Sequence, residues 1–191
     1  VHPDQLGETV RSRCMRVNFG GEADVQLEAN DAAWLKSFVG MSAETDAGLM
    51  GRYRLLGNLM EHLAAKHDTI EEIQEEASAL NRYADIEPTL REKLKEELKA
   101  SIEAEYRRQR GQFLAGLQWW LRDVWLAALR QGRELLHFQE WADTSETVGH
   151  RLTPRQALDN LQSIEATQRL LETTNVQEAL ALEVGLLKLK L

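Results

Sequence analysis

The feature that most limits the fold is a helical apolar pattern that runs with few breaks from Asn30 to the end of the chain. Apolar residues recur at spacings of three and four, which place them on one face of an α-helix. Only three of the 191 residues are prolines, and two of them, Pro88 and Pro154, stand where a first helical turn accepts proline. The sequence therefore predicts an all-α fold.

The pattern divides into helices that are joined by short polar segments. Asp68 and Glu71 have the spacing of a capping box, so we expect one helix to end and another to begin there. Residues 139–152 are polar, and we expect them to form a connector with one helical turn. Asn175 is expected to cap the last helix. The predicted helices cover residues 30–40, 46–66, 69–83, 88–130, 154–173 and 176–191.

The first 29 residues do not follow this helical pattern. Polar and apolar residues alternate from Cys14 to Phe19, and Gly20-Gly21 ends the alternation. Such a period of two predicts a strand or an extended segment. Because a single strand cannot pair with itself, we expect it to belong to a sheet whose other strands lie upstream.

Composition excludes several classes of protein. The chain is 43% hydrophobic and 28% charged, which is ordinary for a globular protein and not for a disordered one. Its single cysteine, Cys14, rules out an intramolecular disulfide, and no apolar run approaches the ~20 residues that span a bilayer. A net charge of −8 argues against tight binding of nucleic acid by this chain alone. We expect a soluble, cytoplasmic protein.

No set of residues has the full pattern of a catalytic or metal site. Glu134 and His137 have the spacing of half a di-iron site, but no second Glu-x-x-His pair exists. His62 and His67 are five residues apart and do not share a helical face, so they do not form a zinc pair. A phosphate-binding loop of the Gly-x-x-x-x-Gly-Lys-Ser/Thr type is absent as well. We therefore expect no metal, no cofactor and no enzymatic activity.

The last predicted helix is apolar on two sides. One stripe contains Val176, Leu180, Val184, Leu187 and Leu191, and the other contains Leu182, Leu186 and Leu189. We expect the first stripe to face the core and the second, with Trp119 and Leu126, to contact another polypeptide, because Trp is enriched at binding hot spots. A helix in the centre of a core would have the same pattern, and this alternative stays open.

Three segments carry a resemblance to a known family. Thr9-Val10-Arg11-Ser12-Arg13-Cys14 resembles the Ser-Arg-Cys motif near the end of the AAA+ ATPase module of DNA clamp-loader subunits. Residues 174–189 are similar to the last helix of the clamp-loader collar domain, and residues 113–129 are similar to an early helix of that domain. The resemblance implies the end of an AAA+ core at 1–25, a small helical lid at 26–85 and a helical-bundle collar at 86–191.

The resemblance also implies site residues and partners. Arg13 would act as an arginine finger in the ATP site of a neighbouring subunit, and Arg52 is a candidate for an ATP-sensing arginine, although the lid lacks the Gly-Ser-x-x-Arg-Ala-Leu element. The expected partners are other clamp-loader subunits, with the sliding clamp and primed DNA reached only in the full complex. No membrane partner is expected, and the isolated chain is expected to form at most a weak homodimer.

Two other classes of function compete with this interpretation. A stand-alone helical adaptor or ligand-binding bundle would need an enclosed apolar pocket in place of an exposed apolar seam. A helical enzyme would need an acid–base or metal constellation, which the sequence lacks.

Overall fold

The computed structural model describes residues 27–44, 48–78, 80 and 87–191, and it confirms the all-α prediction. Within these residues no strand occurs, and short 3-10 turns at Arg133–Leu135 and Gln139–Trp141 follow the longest helix. The predicted extended segment at residues 14–19 lies outside the described residues. The helices are α1 (Ala29–Ala43), α2 (Leu49–Ala77), α3 (Pro88–Ala128), α4 (Ala142–Arg151), α5 (Pro154–Thr173) and α6 (Glu178–Leu187).

The boundary predicted at Asp68 is wrong, because α2 continues through it to Ala77. No glycine or proline follows Gly57 in α2, so nothing in this part of the helix disfavours the helical backbone. The buried side chains of Leu59, Leu63, Lys66 and Ile70 also keep one continuous face through the predicted break. Asp68 is exposed and needs no capping role.

Helix α3 begins as the sequence predicts, with Pro88 in its first turn. The Glu87 carboxylate caps it by accepting hydrogen bonds from the backbone N–H groups of Thr89 and Leu90. Hydrogen bonds from the Thr89 side chain and backbone hold the pKa of Glu87 below its ordinary value. The first half of α3 is largely exposed, while the half from Phe113 onward is mostly buried, as the change in apolar content predicts.

The predicted polar connector at 139–152 is wrong, because most of it forms α4. Ala142, Ser145, Val148 and Gly149 form the buried side of this helix. Gly149 allows a close approach to α3, since a Cβ at that position would lie 2.8 Å from the carbonyl oxygen of Val124. Tertiary packing thus stabilises a helix whose few, small apolar residues give only a weak sequence signal.

The last two helices follow the predictions in part. Thr153 and Gln156 form a reciprocal capping box at the start of α5, whose bounds match the predicted ones. Helix α6 is shorter than predicted, with Gln177 as its N-cap residue, so the capping role assigned to Asn175 is wrong.

The main hydrophobic core is centred on α3. Trp120 is fully buried, and its ring meets Phe38 of α1 edge to face with centroids 5.6 Å apart. Trp34 of α1 makes a similar contact with Phe113 at 4.9 Å. Residues from both sides of position 85 belong to this one core, which also takes in Leu59 of α2. The division into units at 26–85 and 86–191 stays a prediction.

A second, smaller cluster lies further along the α2–α3 pair. It contains Ile70, Ile102 and Tyr106, with Leu98 packed against it. Beyond this cluster the first turns of α3 are mostly exposed. The C-terminal part of α2 and the N-terminal part of α3 therefore bury far fewer apolar side chains than the parts of these helices beside the main core.

We predict opposite stability effects for two helical glycines. Gly149→Ala places a methyl group against the backbone of α3 and should lower the free energy of unfolding by roughly 1–3 kcal/mol. Gly57→Ala has no atom within 4 Å of the new Cβ and should raise it by about 0.5–1 kcal/mol through helix propensity. Denaturant unfolding measures both, and an increase for Gly149→Ala would contradict the close α3–α4 packing.

Candidate interaction surface

The structure changes the predicted roles of the two apolar stripes on α6 and its C-terminal extension: of the stripe expected to face the core, Val176 and Leu191 pack against it, but Leu180 and Val184 are exposed. Leu182, Leu186 and Leu189 were expected at a contact with another polypeptide, but they are only 2–3% exposed and belong to the core. The reason is that Gly185 lies on the same side and lets this side approach Thr167 of α5 closely. The small residue between the leucines is the sequence signal that identifies the inward face.

The opposite side of α6 is exposed. Leu180 is 52% and Val184 is 46% exposed. The first turns of α2 continue this surface, because the Tyr53 hydroxyl donates to the carboxylate of Glu183, between those two residues, at 3.5 Å. We use the name α6–α2 face for this surface, which consists of Leu49, Met50, Tyr53, Leu180 and Val184, all between 45% and 70% exposed.

An ion pair between a buried arginine and a partly buried glutamate fixes the N-terminal end of α6. The Arg110 guanidinium, from α3, pairs with the Glu178 carboxylate and also donates to the carbonyl oxygen of Leu171 at 3.4 Å. The Tyr106 hydroxyl donates to the same carboxylate at 2.5 Å. Burial, together with this carboxylate, raises the pKa of Tyr106, so the phenol stays protonated at neutral pH and remains a donor.

Polar contacts also fix the C-terminal end of α6. Arg52 donates from Nη1 to the carbonyl oxygen of Leu187 at 3.0 Å, where a cation interacts favourably with the helix end. The Asn160 side chain accepts from the backbone N–H of Lys190 at 2.8 Å and donates to its carbonyl oxygen at 2.5 Å. With both ends held, the rotation of α6 is set, and Leu180 and Val184 are kept on the outside.

Arg52 also borders a small cavity between α2 and the end of the chain. The cavity has a volume of about 180 Å³. Its apolar walls include Leu55, Leu186 and Leu189, and Arg54 lies at its margin. The structure thus gives Arg52 a capping contact within the chain, and its predicted role in ATP sensing stays a prediction.

Trp119 and Leu126, also predicted at an interface, are both half-buried. The Trp119 ring stacks on His137 with centroids 4.8 Å apart, and the Arg122 guanidinium lies 5.2 Å from its centroid. The ring therefore has partners within the chain. A role in binding another subunit stays a prediction for both residues.

Asp123, next to this tryptophan, holds the connector that follows α3. Its fully buried carboxylate accepts from the backbone N–H groups of His137 and Phe138 at 2.9 and 2.8 Å. Burial raises the pKa of Asp123, and these two hydrogen bonds oppose the increase. Asp123 is thus a structural anchor for residues 131–141.

A charged cluster that was not predicted from the sequence lies between α1 and α2. The buried Lys66 ammonium lies 3.1 Å from the Asp31 carboxylate and 2.9 Å from the Glu28 carboxylate, and His62 contacts Asp31 at 2.7 Å. The spacing of His62 and Lys66 within the apolar face of α2 is the signal that could have revealed it. The cluster borders a polar cavity of about 540 Å³ that also contacts Ile70. These ion pairs attach the start of α1 to α2.

Arg13, the residue predicted to act as an arginine finger, lies outside the described residues. In the described part of the chain, no helix combines the length and the apolar content that crossing a bilayer requires. Comparison with known protein families, curated proteins and solved structures finds no match to this chain.

We predict that Asp123→Ala lowers the free energy of unfolding by roughly 1–3 kcal/mol, because it leaves two buried N–H groups without an acceptor. Asp143→Ala is the matched control. The Asp143 side chain is 89% exposed, and Arg133 is its only ion-pair partner among the described residues, so its loss should change stability by less than about 1 kcal/mol. Equal effects in denaturant unfolding would contradict the anchoring role of Asp123.

Proposed function

We propose that this chain is part of a DNA clamp-loader subunit and that its helical region binds other loader subunits. The proposal combines the resemblance around Ser12-Arg13-Cys14 and residues 174–189 with the all-α fold. The motif resembles that of the delta-prime subunit of bacterial DNA polymerase III, in which an arginine, here Arg11, precedes Ser-Arg-Cys. In such assemblies the collar domains form a ring that fixes the order of the subunits.

The observation that best supports an assembly role is the α6–α2 face. Single exposed apolar residues are common on monomeric proteins. Here five large apolar side chains on two helices that contact each other through Tyr53 and Glu183 are between 45% and 70% exposed, and large exposed apolar surfaces mark interaction sites. The proposal therefore places the contact with another loader subunit on this face and not on the buried leucines of α6.

The charge of the chain agrees with an indirect role in DNA binding. At a net charge of −8, the chain lacks the basic excess that binds phosphates. In the proposal the complete loader engages the sliding clamp and primed DNA, and this chain contributes to the assembly. By the same resemblance, Arg13 would stabilise charge on the phosphoryl group that is transferred in a neighbouring subunit.

The interface is tested by a double variant, Leu180→Glu with Val184→Glu. Both residues are about half exposed, so the variant should fold with a stability change below about 1 kcal/mol. It should, however, lose co-purification with the other loader subunits, because two carboxylates would be buried in an apolar contact. Leu90→Glu is the matched control, since Leu90 is 49% exposed at the far end of α3.

One outcome would contradict the proposed interface, and another would show that the loss is not specific to it. Normal co-purification of the double variant would remove the α6–α2 face from the assembly. Equal loss with Leu90→Glu would show that any added surface charge disrupts the assembly, so that the effect carries no information on this face.

The role of Arg13 is tested separately in the assembled loader. Arg13→Ala should reduce the rate of ATP hydrolysis by a factor of about 10³ or more while leaving the assembly intact. Arg16→Ala is the control, because it removes the same charge three residues away. Unchanged hydrolysis with Arg13→Ala would refute the arginine-finger role.

The cavity beside Arg52 favours a second candidate function, the binding of a small apolar ligand with an anionic group. Leucine side chains form much of its wall, and Arg54 adds positive charge at the margin. Its volume of about 180 Å³ is, however, below the roughly 300–1,000 Å³ of typical ligand pockets. Assembly through the α6–α2 face is therefore the preferred proposal.

A further inference from the structure

A histidine in the C-terminal half of α2 has carboxylates from two helices close to its ring. His67, Asp68 and Glu71 each place one donor atom within 4.8 Å of the others. On the other side of the ring, Oε1 of Glu103 from α3 lies 3.6 Å from Nε2 of His67. We propose that His67, Asp68 and Glu71 bind a divalent transition-metal ion of the zinc class, with Glu103 as the carboxylate behind the imidazole.

The geometry requires little rearrangement. Nδ1 of His67 and Oε2 of Glu71 are 3.9 Å apart. Ligand atoms around a tetrahedral zinc ion with bonds of about 2.0–2.1 Å are separated by about 3.3 Å. All three donor atoms lie within 4.8 Å of one another, so side-chain rotations must bring them up to about 1.5 Å closer to reach the tetrahedral separation. A water molecule would supply the fourth ligand, as in other sites with three protein ligands.

Glu103 has the position of a supporting residue. With a metal on Nδ1, the proton of His67 would be on Nε2, which faces the Glu103 carboxylate at 3.6 Å. A small side-chain movement would bring the two within hydrogen-bond distance, and such a bond orients a metal-binding imidazole. The Tyr106 ring also contacts the imidazole edge to face at 5.1 Å. His67 is 31% exposed, so the ring is held on one side and accessible on the other.

The charge distribution favours a cation at this position. The stretch from Asp68 to Glu76 contains five acidic residues and no basic residue. Among the described residues, His67 is the only ion-pair partner within 4.0 Å of Glu71 or Glu103, and Asp68 has none. A divalent ion would reduce the repulsion among these carboxylates. The imidazole ligand selects zinc, copper or nickel over magnesium and calcium.

The site differs from the His62–His67 pair that the sequence excludes, because its other ligands are carboxylates. It lies beside the small apolar cluster of Ile70, Ile102 and Tyr106, which packs the C-terminal part of α2 against the N-terminal part of α3. A bound ion would connect α2 through His67 to Glu103 of α3. The inferred role is therefore a metal-dependent reinforcement of the α2–α3 pair, independent of the proposed clamp-loader function.

Calorimetric titration of the whole chain with zinc chloride tests the site, and the visible absorption of bound Co²⁺ reports the ligand geometry. We expect each chain to bind one zinc ion, and we expect this binding to require His67, Asp68 and Glu71. His67→Ala should abolish binding, Glu71→Gln should weaken it, and Glu103→Gln should weaken it by roughly 10–100-fold. His150→Ala is the control, since this exposed histidine lies near Glu146, whose carboxylate is already paired with Arg133.

The proposal is wrong if the unaltered chain binds no zinc, or if His67→Ala and Glu71→Gln bind it as the unaltered chain does. Glu71→Gln keeps the size of an exposed side chain, so it remains informative if His67→Ala fails to fold. A rise in melting temperature with zinc in the unaltered chain, absent in Glu71→Gln, would support the reinforcement of α2 and α3.

Discussion

The burial of the second half of α3 is the constraint on which the rest of the structure depends. Helices α1, α2, α4 and α5 all pack against α3. Trp120, Leu117, Leu121 and Val124 are completely buried there. Their packing fixes where each neighbouring helix can lie, and Gly149 allows α4 to approach most closely. The charged first half of α3 has no comparable role in the core.

Polar contacts then determine the orientation of α6. Large aliphatic residues lie on both sides of this helix, and Gly185 lets one of these sides approach Thr167 closely. The Arg110–Glu178 pair at one end and the Arg52 contact with Leu187 at the other select a single rotation. The exposed apolar surface therefore follows from partly buried polar interactions at the two ends of α6.

The sequence predicts the local features of the fold well. Pro88 and Pro154 correctly locate the starts of α3 and α5, because the signals act within one turn. The break that was predicted at Asp68 and the failure to predict α4 are errors of another kind. In both places, packing against residues that are distant in the sequence decides whether the backbone is helical. The helix propensity of a few neighbouring residues does not contain this information.

The candidate site shows the same division. Periodicity correctly identifies two apolar sides on α6, but it cannot decide which of them meets α5. The positions of Ala181 and Gly185 beside Leu182 and Leu186 hold that information, since small residues permit close packing. The His62–Asp31 and Lys66–Asp31 pairs join residues that are over 30 positions apart, so the spacing of His62 and Lys66 on the apolar face of α2 indicates buried polar groups but does not identify their partner.

The central claim is that the α6–α2 face is covered by another loader subunit, and hydroxyl-radical footprinting tests it most directly. Met50 and Tyr53 are reactive side chains that are 70% and 45% exposed in this structure. When the other loader subunits are added, their oxidation should fall several-fold, while that of Leu90 and Ile73, at 49% and 60% exposure, should not change. A complex that forms without protecting Met50 and Tyr53 would contradict the claim.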